Sequence, residues 1–308
     1  MAQPVYLDNV VHDPATVLTV GTFDGVHEGH QTLIDRVVAA AKAEGRRSVV
    51  VSFDPHPRDI LQPGANGIQL LTTLDERAEM LDAMGVDQLV VIPFTRDFSL
   101  LSSEDFIRDI LWKTIGMAHI VIGYDHHFGR NREGGIDALR RMGNELGFHV
   151  ESVEKHDIGT VTVSSTAARK SLREDGDVGL VASFLGRPYT LSGIVVHGQK
   201  RGRILGFPTA NLSIHDSRKI IPKNGVYSVD VDYAGTTWPG MLNIGTRPTF
   251  KDGLHQTVEV HLIGFEGDLY GQTLTVRFLE RIRAERAFSG MDELKAQLEA
   301  DRQVCIAR

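Results

Sequence analysis

Cysteine is almost missing from this chain of 308 residues: Cys305 is the sole one. No intrachain disulfide can form, and a thiolate zinc cluster within one chain is excluded. Met1 to Pro14 has no cationic start followed by an apolar run, so no secretory signal is expected. No stretch approaches the roughly 20 apolar residues of a membrane helix, which sets the expectation of a cytoplasmic protein without a membrane partner. No two glycines stand one residue apart, so the G-x-G-x-x-G dinucleotide fingerprint is absent. No Gly-Lys pair exists to build a P-loop. Cationic excess is lacking too. A net charge of -7 argues against non-specific nucleic-acid binding as the main role, and any basic patch must be local.

What is present describes a globular protein, 42% hydrophobic and 24% charged, of a length that favours about two domains. The first half alternates strand and helix. Val17 to Phe23 is an apolar, β-branched run. His30 to Glu44 follows, with Leu33, Ile34, Val37, Val38 and Ala41 at helical spacing and Gly45 as the stop. Strands at Ser48–Phe53, Val86–Phe94, Ala118–Tyr124 and Phe148–Val153 then alternate with helices at Asp75–Met84, Ser103–Ile115 and Ile136–Leu146. Such spacing predicts a parallel sheet with right-handed crossovers and ligands at the carboxyl ends of its strands. The pattern changes after two short helices (Thr166–Arg173, Val178–Leu185) and Gly186-Arg187-Pro188-Tyr189. Leu191–His197, Val226–Tyr233, Thr236–Asn243, Thr257–Ile263 and Thr273–Leu279 read as strands with turns but no helices between them. Met291–Ala300 is a closing amphipathic helix. The expected domains are 1–186, α/β, and 187–308, an antiparallel sheet or small barrel.

Two clusters carry chemistry. In Gly21-Thr22-Phe23-Asp24-Gly25-Val26-His27-Glu28-Gly29-His30 the imidazoles are three apart, on one face if both lie on a first helical turn. A helix N-terminus there offers free N–H groups and a positive dipole end to a polyphosphate. Gly25 and Gly29 permit close backbone approach, and Asp24 is expected to shape the turn by a local Asx bond. Taken alone, H-x-G-H reads as a turn with two surface histidines. Its placement between a buried strand and an amphipathic helix favours the phosphate site. Ser164-Ser165-Thr166-Ala167-Ala168-Arg169 begins another helix with hydroxyls at the cap and a cation one turn in, which suits a leaving pyrophosphate.

The second cluster runs from Gly198 to Asn211. Gly198, Gly202 and Gly206 alternate with Lys200, Arg201 and Arg203, and Pro208-Thr209-Ala210-Asn211 follows. Thr209 and Asn211 are hard oxygen donors two apart, on one side of an extended segment, a set that magnesium accepts. In Thr257-Val258-Glu259-Val260-His261 alternation puts Thr257, Glu259 and His261 on one face. Glu259 is the candidate base for a hydroxyl that receives a phosphoryl group, although an outward glutamate on a half-exposed strand reads equally well. The polar turn Asn243-Ile244-Gly245-Thr246-Arg247-Pro248-Thr249 offers Arg247 as a phosphate contact.

These residues resemble two enzyme families. The first cluster resembles the H-x-G-H nucleotidyltransferases. With Phe53-Asp54-Pro55-His56-Pro57, Gly123-x-Asp125-x-x-Phe128-Gly129 and Ser164-Ser165-Thr166-x-x-Arg169, it is similar to the adenylyltransferase half of prokaryotic bifunctional FAD synthetases. The resemblance implies a Rossmann-like domain in which His27, His30 and Arg169 hold ATP phosphates and Ser164 and Thr166 line the pocket. Phe53, His56, Pro57, Asp125 and Phe128 would surround flavin or nucleotide. Thr22 stands where the family usually has asparagine, and His126-His127 where an aromatic–basic pair is common.

The second half resembles riboflavin kinase through G-x-x-x-G-x-x-x-G-F-P-T-A-N, Asn224-Gly225-Val226-Tyr227, Asn243 to Pro248, Glu259-Val260-His261 and Asp268-Leu269-Tyr270-Gly271. It implies a six-stranded antiparallel barrel with a closing helix. Thr209 and Asn211 would serve ATP-magnesium, Glu259 would be the base, and a flavin pocket would lie near Arg281 to Phe288, including Arg283 and Phe288. Ala287 replaces a common lysine. The expected function is riboflavin to FMN to FAD, with ATP and Mg2+, small-molecule partners only, and no indicated oligomer. A nucleotidyltransferase with another phosphate acceptor would leave the second half unexplained. An RNA-binding regulator would leave the two histidines unexplained.

Overall fold

The computed structural model describes residues 4–62, 67–123, 129, 134–154, 157–158, 161–198, 202, 205–249 and 253–307. The chain divides into two compact units, Met1–Ser165 and Thr166–Arg308.

The first unit is built on β1 (Val5–Tyr6), β2 (Thr16–Val20), β3 (Arg47–Asp54), β4 (Gln88–Pro93), β5 (Met117–Gly123) and β6 (His149–Val153). All pair in parallel, in the order β1-β4-β3-β2-β5-β6. Every residue of β2 is buried, as a strand covered on both faces requires. The helices are α1 (Glu28–Glu44), α2 (Pro57–Leu61), α3 (Leu74–Ala83), α4 (Ser103–Asp105) and α5 (Ile136–Leu146); α4 continues in π-helical turns over Phe106–Ile115. One layer of core packs Leu33, Ile34 and Val37 of α1 against Val17, Val50 and Val121. The other packs Ile107, Leu111 and Leu139 against Leu18, Val49 and Ile120. Strand order reverses between β2 and β5, so the switch point of the sheet falls where β2 feeds the turn into α1. A two-stranded ribbon, β7 (Asp157–Ile158) and β8 (Val161–Thr162), follows.

The second unit begins with α6 (Ser165–Lys170), most of which lies beyond the division at Ser165, and with α7 (Val178–Leu185). The barrel strands are β9 (Tyr189–Val196), β10 (Ala210–Ile214), β11 (Gly225–Tyr233), β12 (Thr236–Thr249), β13 (Gly253–Leu262) and β14 (Thr273–Arg283). They close in the antiparallel order β10-β13-β12-β11-β14-β9, which leaves no free edge. Leu191, Val229, Leu242, Val260, Leu274 and Phe278, all fully buried, alternate with more exposed residues along these strands. The closing helix α8 (Met291–Ile306) is longer than the expected Met291–Ala300. Cys305, on α8, packs with Phe207, Val226 and Met241.

The expected pairing of an α/β unit with an all-β barrel stands. Four strands escaped the pattern: β1, β7 and β8 have two residues each, and β10 (Ala-Asn-Leu-Ser-Ile) is a short alternation hidden in a motif that reads as a loop.

Candidate active sites

Three torsions define the turn after β2. Phe23, Gly25 and Val26 have φ of 48°, 86° and 41°, and a β-branched residue in that region is strained. Asp24 corrects the local Asx expectation. Its fully buried carboxylate accepts from the Leu71 and Thr72 backbone N–H groups at 3.1 and 2.9 Å, forty-seven and forty-eight residues away. The Thr72 hydroxyl in turn accepts from Gly25 N–H at 2.9 Å. Arg77, only 4% exposed, lies beneath, donating to Ser52 Oγ at 2.9 Å, while Ser52 Oγ donates to the Thr22 carbonyl at 3.1 Å. Phe23 is core, and Gly21 lies against its ring.

Above this support sit the imidazoles. His27 is the N-cap of α1, and its Nδ1 accepts from the His30 backbone N–H at 3.2 Å. Nδ1 is therefore the unprotonated nitrogen, and Nε2 carries the proton and acts as donor. The two rings stack with centroids 3.6 Å apart and planes at 16°. The helix begins at Glu28, two residues earlier than expected, which makes His27 a cap rather than a first-turn residue and places Gly29 inside the helix. Ser165 Oγ donates to the Asp24 carbonyl at 2.8 Å, so the serine-rich motif touches the histidine turn directly. Ser164 is half-buried. Thr166 is exposed and Arg169 half-buried on α6.

Phe53 packs edge-on against Phe94 at 5.5 Å, beside Phe98. His56 caps α2, accepting from Arg58 N–H at 3.1 Å, with Pro57 at the first helical position. Asp125 and Phe128 lie outside the described residues, as do Lys200 and Arg203.

In the barrel, register places Asn211, Glu259 and Asn243 in one row across β10, β13 and β12. All three are half-buried, while Leu212, Val258, Val260, Leu242 and Ile244 point to the core. Thr209 Oγ1 donates to Glu259 Oε2 at 3.2 Å, a contact across fifty residues that no local pattern reveals. A Cβ at Gly198 would stand 2.1 Å from Asn211 Nδ2, so any side chain there would displace the amide. A Cβ at Gly202 would meet the Phe207 carbonyl at 2.2 Å, closing the loop under Thr209. Gly206 takes φ of 84°, and Pro208 is exposed with its carbonyl accepting from His261 Nδ1 at 2.8 Å. Burial lowers the His261 pKa.

Arg247 lies on β12. Arg283, expected near a flavin, forks onto Asp301 of α8 at 2.7 to 3.1 Å, with the Phe288 ring 5.7 Å from its guanidinium. Sequence reading also missed Glu285, whose carboxylate lies against Gly245 and accepts from Asn224 Nδ2 at 3.2 Å. It missed Arg77 too, although a cation inside the apolar stripe Leu74–Ala78–Leu81 is a readable signal of buried polar function.

The two sets of residues coincide with two family models, FAD synthetase over residues 10–167 and riboflavin kinase over 185–307. The bifunctional riboflavin kinase/FMN adenylyltransferase of Pseudomonas fluorescens is 40% identical, covering 92% of this chain and 90% of its own. This chain belongs to that bifunctional family. The relative from Bacillus subtilis is 36% identical over 94% of this chain and 92% of its own. A crystal structure described as a macrolide-efflux protein from Streptococcus pneumoniae superposes with a TM-score of 0.91, at 32% identity and 98% coverage of both chains. In this family member no helix among the described residues is long and apolar enough to cross a membrane. The expectation of a two-domain, ATP-dependent flavin-cofactor enzyme stands on both halves.

Proposed function

We propose that the barrel phosphorylates the ribityl 5′-hydroxyl of riboflavin from ATP, giving FMN, and that the parallel-sheet unit then transfers AMP from a second ATP to FMN. The observation that carries this reading is the row Asn211–Glu259–Asn243 with Thr209 hydrogen-bonded to Glu259, in a chain that also caps a helix with His27. The catalytic division follows residues 1–186 and 187–308, with small molecules as the partners.

In the kinase half Glu259 accepts the hydroxyl proton as the γ-phosphoryl leaves ATP, and Thr209 orients that carboxylate. Thr209 and Asn211 present hydroxyl and amide oxygens, the hard donor chemistry that Mg2+ takes while keeping waters. When bound, Mg2+ offsets charge on the phosphate oxygens. The fit is supported by the Asn211 amide being seated against Gly198 with no room for a side chain there.

In the other half an FMN phosphate oxygen attacks the α-phosphorus of ATP, the bond to the β-phosphate bridging oxygen breaks, and pyrophosphate leaves. His27 Nε2–H and the free N–H groups at the start of α1 donate to the oxygens on which charge accumulates. The strained turn holds them in place beforehand, so no reorganisation is needed at the moment of transfer. Purified protein incubated with riboflavin, ATP and magnesium, followed by chromatography of the flavins, tests the proposal. FMN and then FAD are expected; the appearance of neither removes it.

A further inference from the structure

The phosphate turn lies at the carboxyl ends of the strands. At their opposite ends a second cluster of titratable groups has no part in either reaction. His119 and His149 are cross-strand partners on β5 and β6, their rings edge-on at 4.5 Å. Glu151 is two residues along β6 from His149, hence on the same face of the strand. The nitrogens of the two histidines and a Glu151 oxygen all lie within 4.8 Å of one another.

His119 is 3% exposed. Its Nδ1 lies 3.0 Å from Glu44 Oε1, at the end of α1. A carboxylate can only accept there, so Nδ1 is the donor and Nε2 is the nitrogen left to face Glu151. That Nε2 is buried, makes no hydrogen bond, and stands 3.5 Å from Glu151 Oε2. A carboxylate that fixes an imidazole through one nitrogen while the other faces inward is the arrangement that orients metal-bound histidines. Arg36 of α1 forks onto both Glu151 oxygens, and each carboxylate oxygen retains a second lone pair.

We propose that His119, His149 and Glu151 form a three-ligand site for a divalent transition ion of the zinc class, oriented by Glu44 and Arg36. Two imidazoles and one carboxylate suit zinc, nickel or copper, whereas magnesium and calcium take oxygen sets. Bond lengths of about 2.0–2.2 Å place tetrahedral ligands roughly 3.3 Å apart. The His119–Glu151 separation already matches, and His149, exposed, adjusts its side chain and gives the ion a path from solvent. Three protein ligands leave a coordination position to water. The ion would join α1, whose first turn carries His27 and His30, to β5 and β6. It would be separate from the ATP-bound Mg2+.

The test is equilibrium dialysis of the full chain against Zn2+, with elemental analysis, on wild type, His149→Ala, Glu151→Gln and Glu44→Gln. Expected are one zinc per chain in wild type, at least tenfold weaker binding in His149→Ala and Glu151→Gln, and a 10–100-fold loss in Glu44→Gln. Imidazole 15N spectra check the ligation independently, with the His119 Nε2 resonance moving on addition of Zn2+ and the Nδ1 resonance moving less. The proposal is overturned if wild type retains no zinc, or if His149→Ala and Glu151→Gln retain it with unchanged affinity.

Discussion

Thr209 and Glu259, fifty residues apart in the chain, meet at 3.2 Å on the outer face of the barrel, where the hydroxyl donates to the carboxylate. The contact joins a candidate metal ligand to the candidate base. Glu259→Gln keeps the shape but cannot accept a proton. We expect riboflavin phosphorylation to fall by about 10²–10⁴-fold, the range for losing a general base, with FMN adenylylation retained. Separate assays with riboflavin and with FMN as starting flavin decide it; equal loss of both steps in a folded variant refutes the division of labour.

The stacked pair His27–His30 makes the reciprocal prediction. His30→Ala removes a phosphate donor but leaves its backbone N–H to the cap. Adenylyl transfer should drop about 10²–10³-fold, as for removal of one donor at a site of developing charge. The kinase reaction should be unaffected. His27→Ala should lose the helix cap as well, about 1 kcal/mol, visible as a lower Tm that His30→Ala does not share.

Gly198 tests the seat of the Asn211 amide. In Gly198→Ala the new methyl would lie 2.1 Å from Nδ2, so the amide must move. The expected result is a raised KM for ATP-magnesium in the kinase step and an unchanged adenylyltransferase. An unaltered KM would show that Asn211 does not serve the nucleotide.

Much of this architecture was legible because it follows from periodicity. Helical spacing from Leu33 to Ala41 and the all-buried β2 specify a strand–turn–helix, and the switch point then falls where the two histidines lie. Residues whose roles depend on distant partners were not legible. Asp24 reads as a local turn former, yet it bonds to Leu71 and Thr72, because a buried carboxylate takes whatever backbone donors the fold brings. Arg283 sits in a segment that resembles a flavin pocket, and only the packing of α8 shows that Asp301 claims it. Strand β10 is short and its outward face is Asn211 and Ser213, continuous with the polar Pro208-Thr209 before it, so its alternation reads as loop.

Asp301 is 1% exposed and is held by Arg283 and by Gln297 Nε2 at 2.7 Å. Asp301→Ala would strand the guanidinium between β14 and α8. Removing one partner of a buried pair costs about 3–5 kcal/mol, and the lower end applies because Arg283 retains some contact with solvent. Denaturant unfolding should show the loss, and Arg283→Met paired with Asp301→Leu should recover most of it. If the double variant is no more stable than Asp301→Ala, the ion pair does not dock the closing helix.

His261 links barrel stability to pH. Buried against Phe207, with Nδ1–H donating to the Pro208 carbonyl, it is neutral, and its folded-state pKa lies below the usual histidine value because burial disfavours the cation. The unfolded chain therefore binds the proton more readily than the folded one. The stability from the neutral ring is complete above about pH 6.5. It is lost progressively as pH falls towards the depressed folded value. His261→Gln keeps a polar donor and removes the titration. The wild-type Tm should fall more steeply than that of the variant between pH 7.5 and 5.5, with the steeper fall confined to the transition of the barrel. Parallel curves over that range would show that protonation of His261 does not limit the acid stability of the kinase unit.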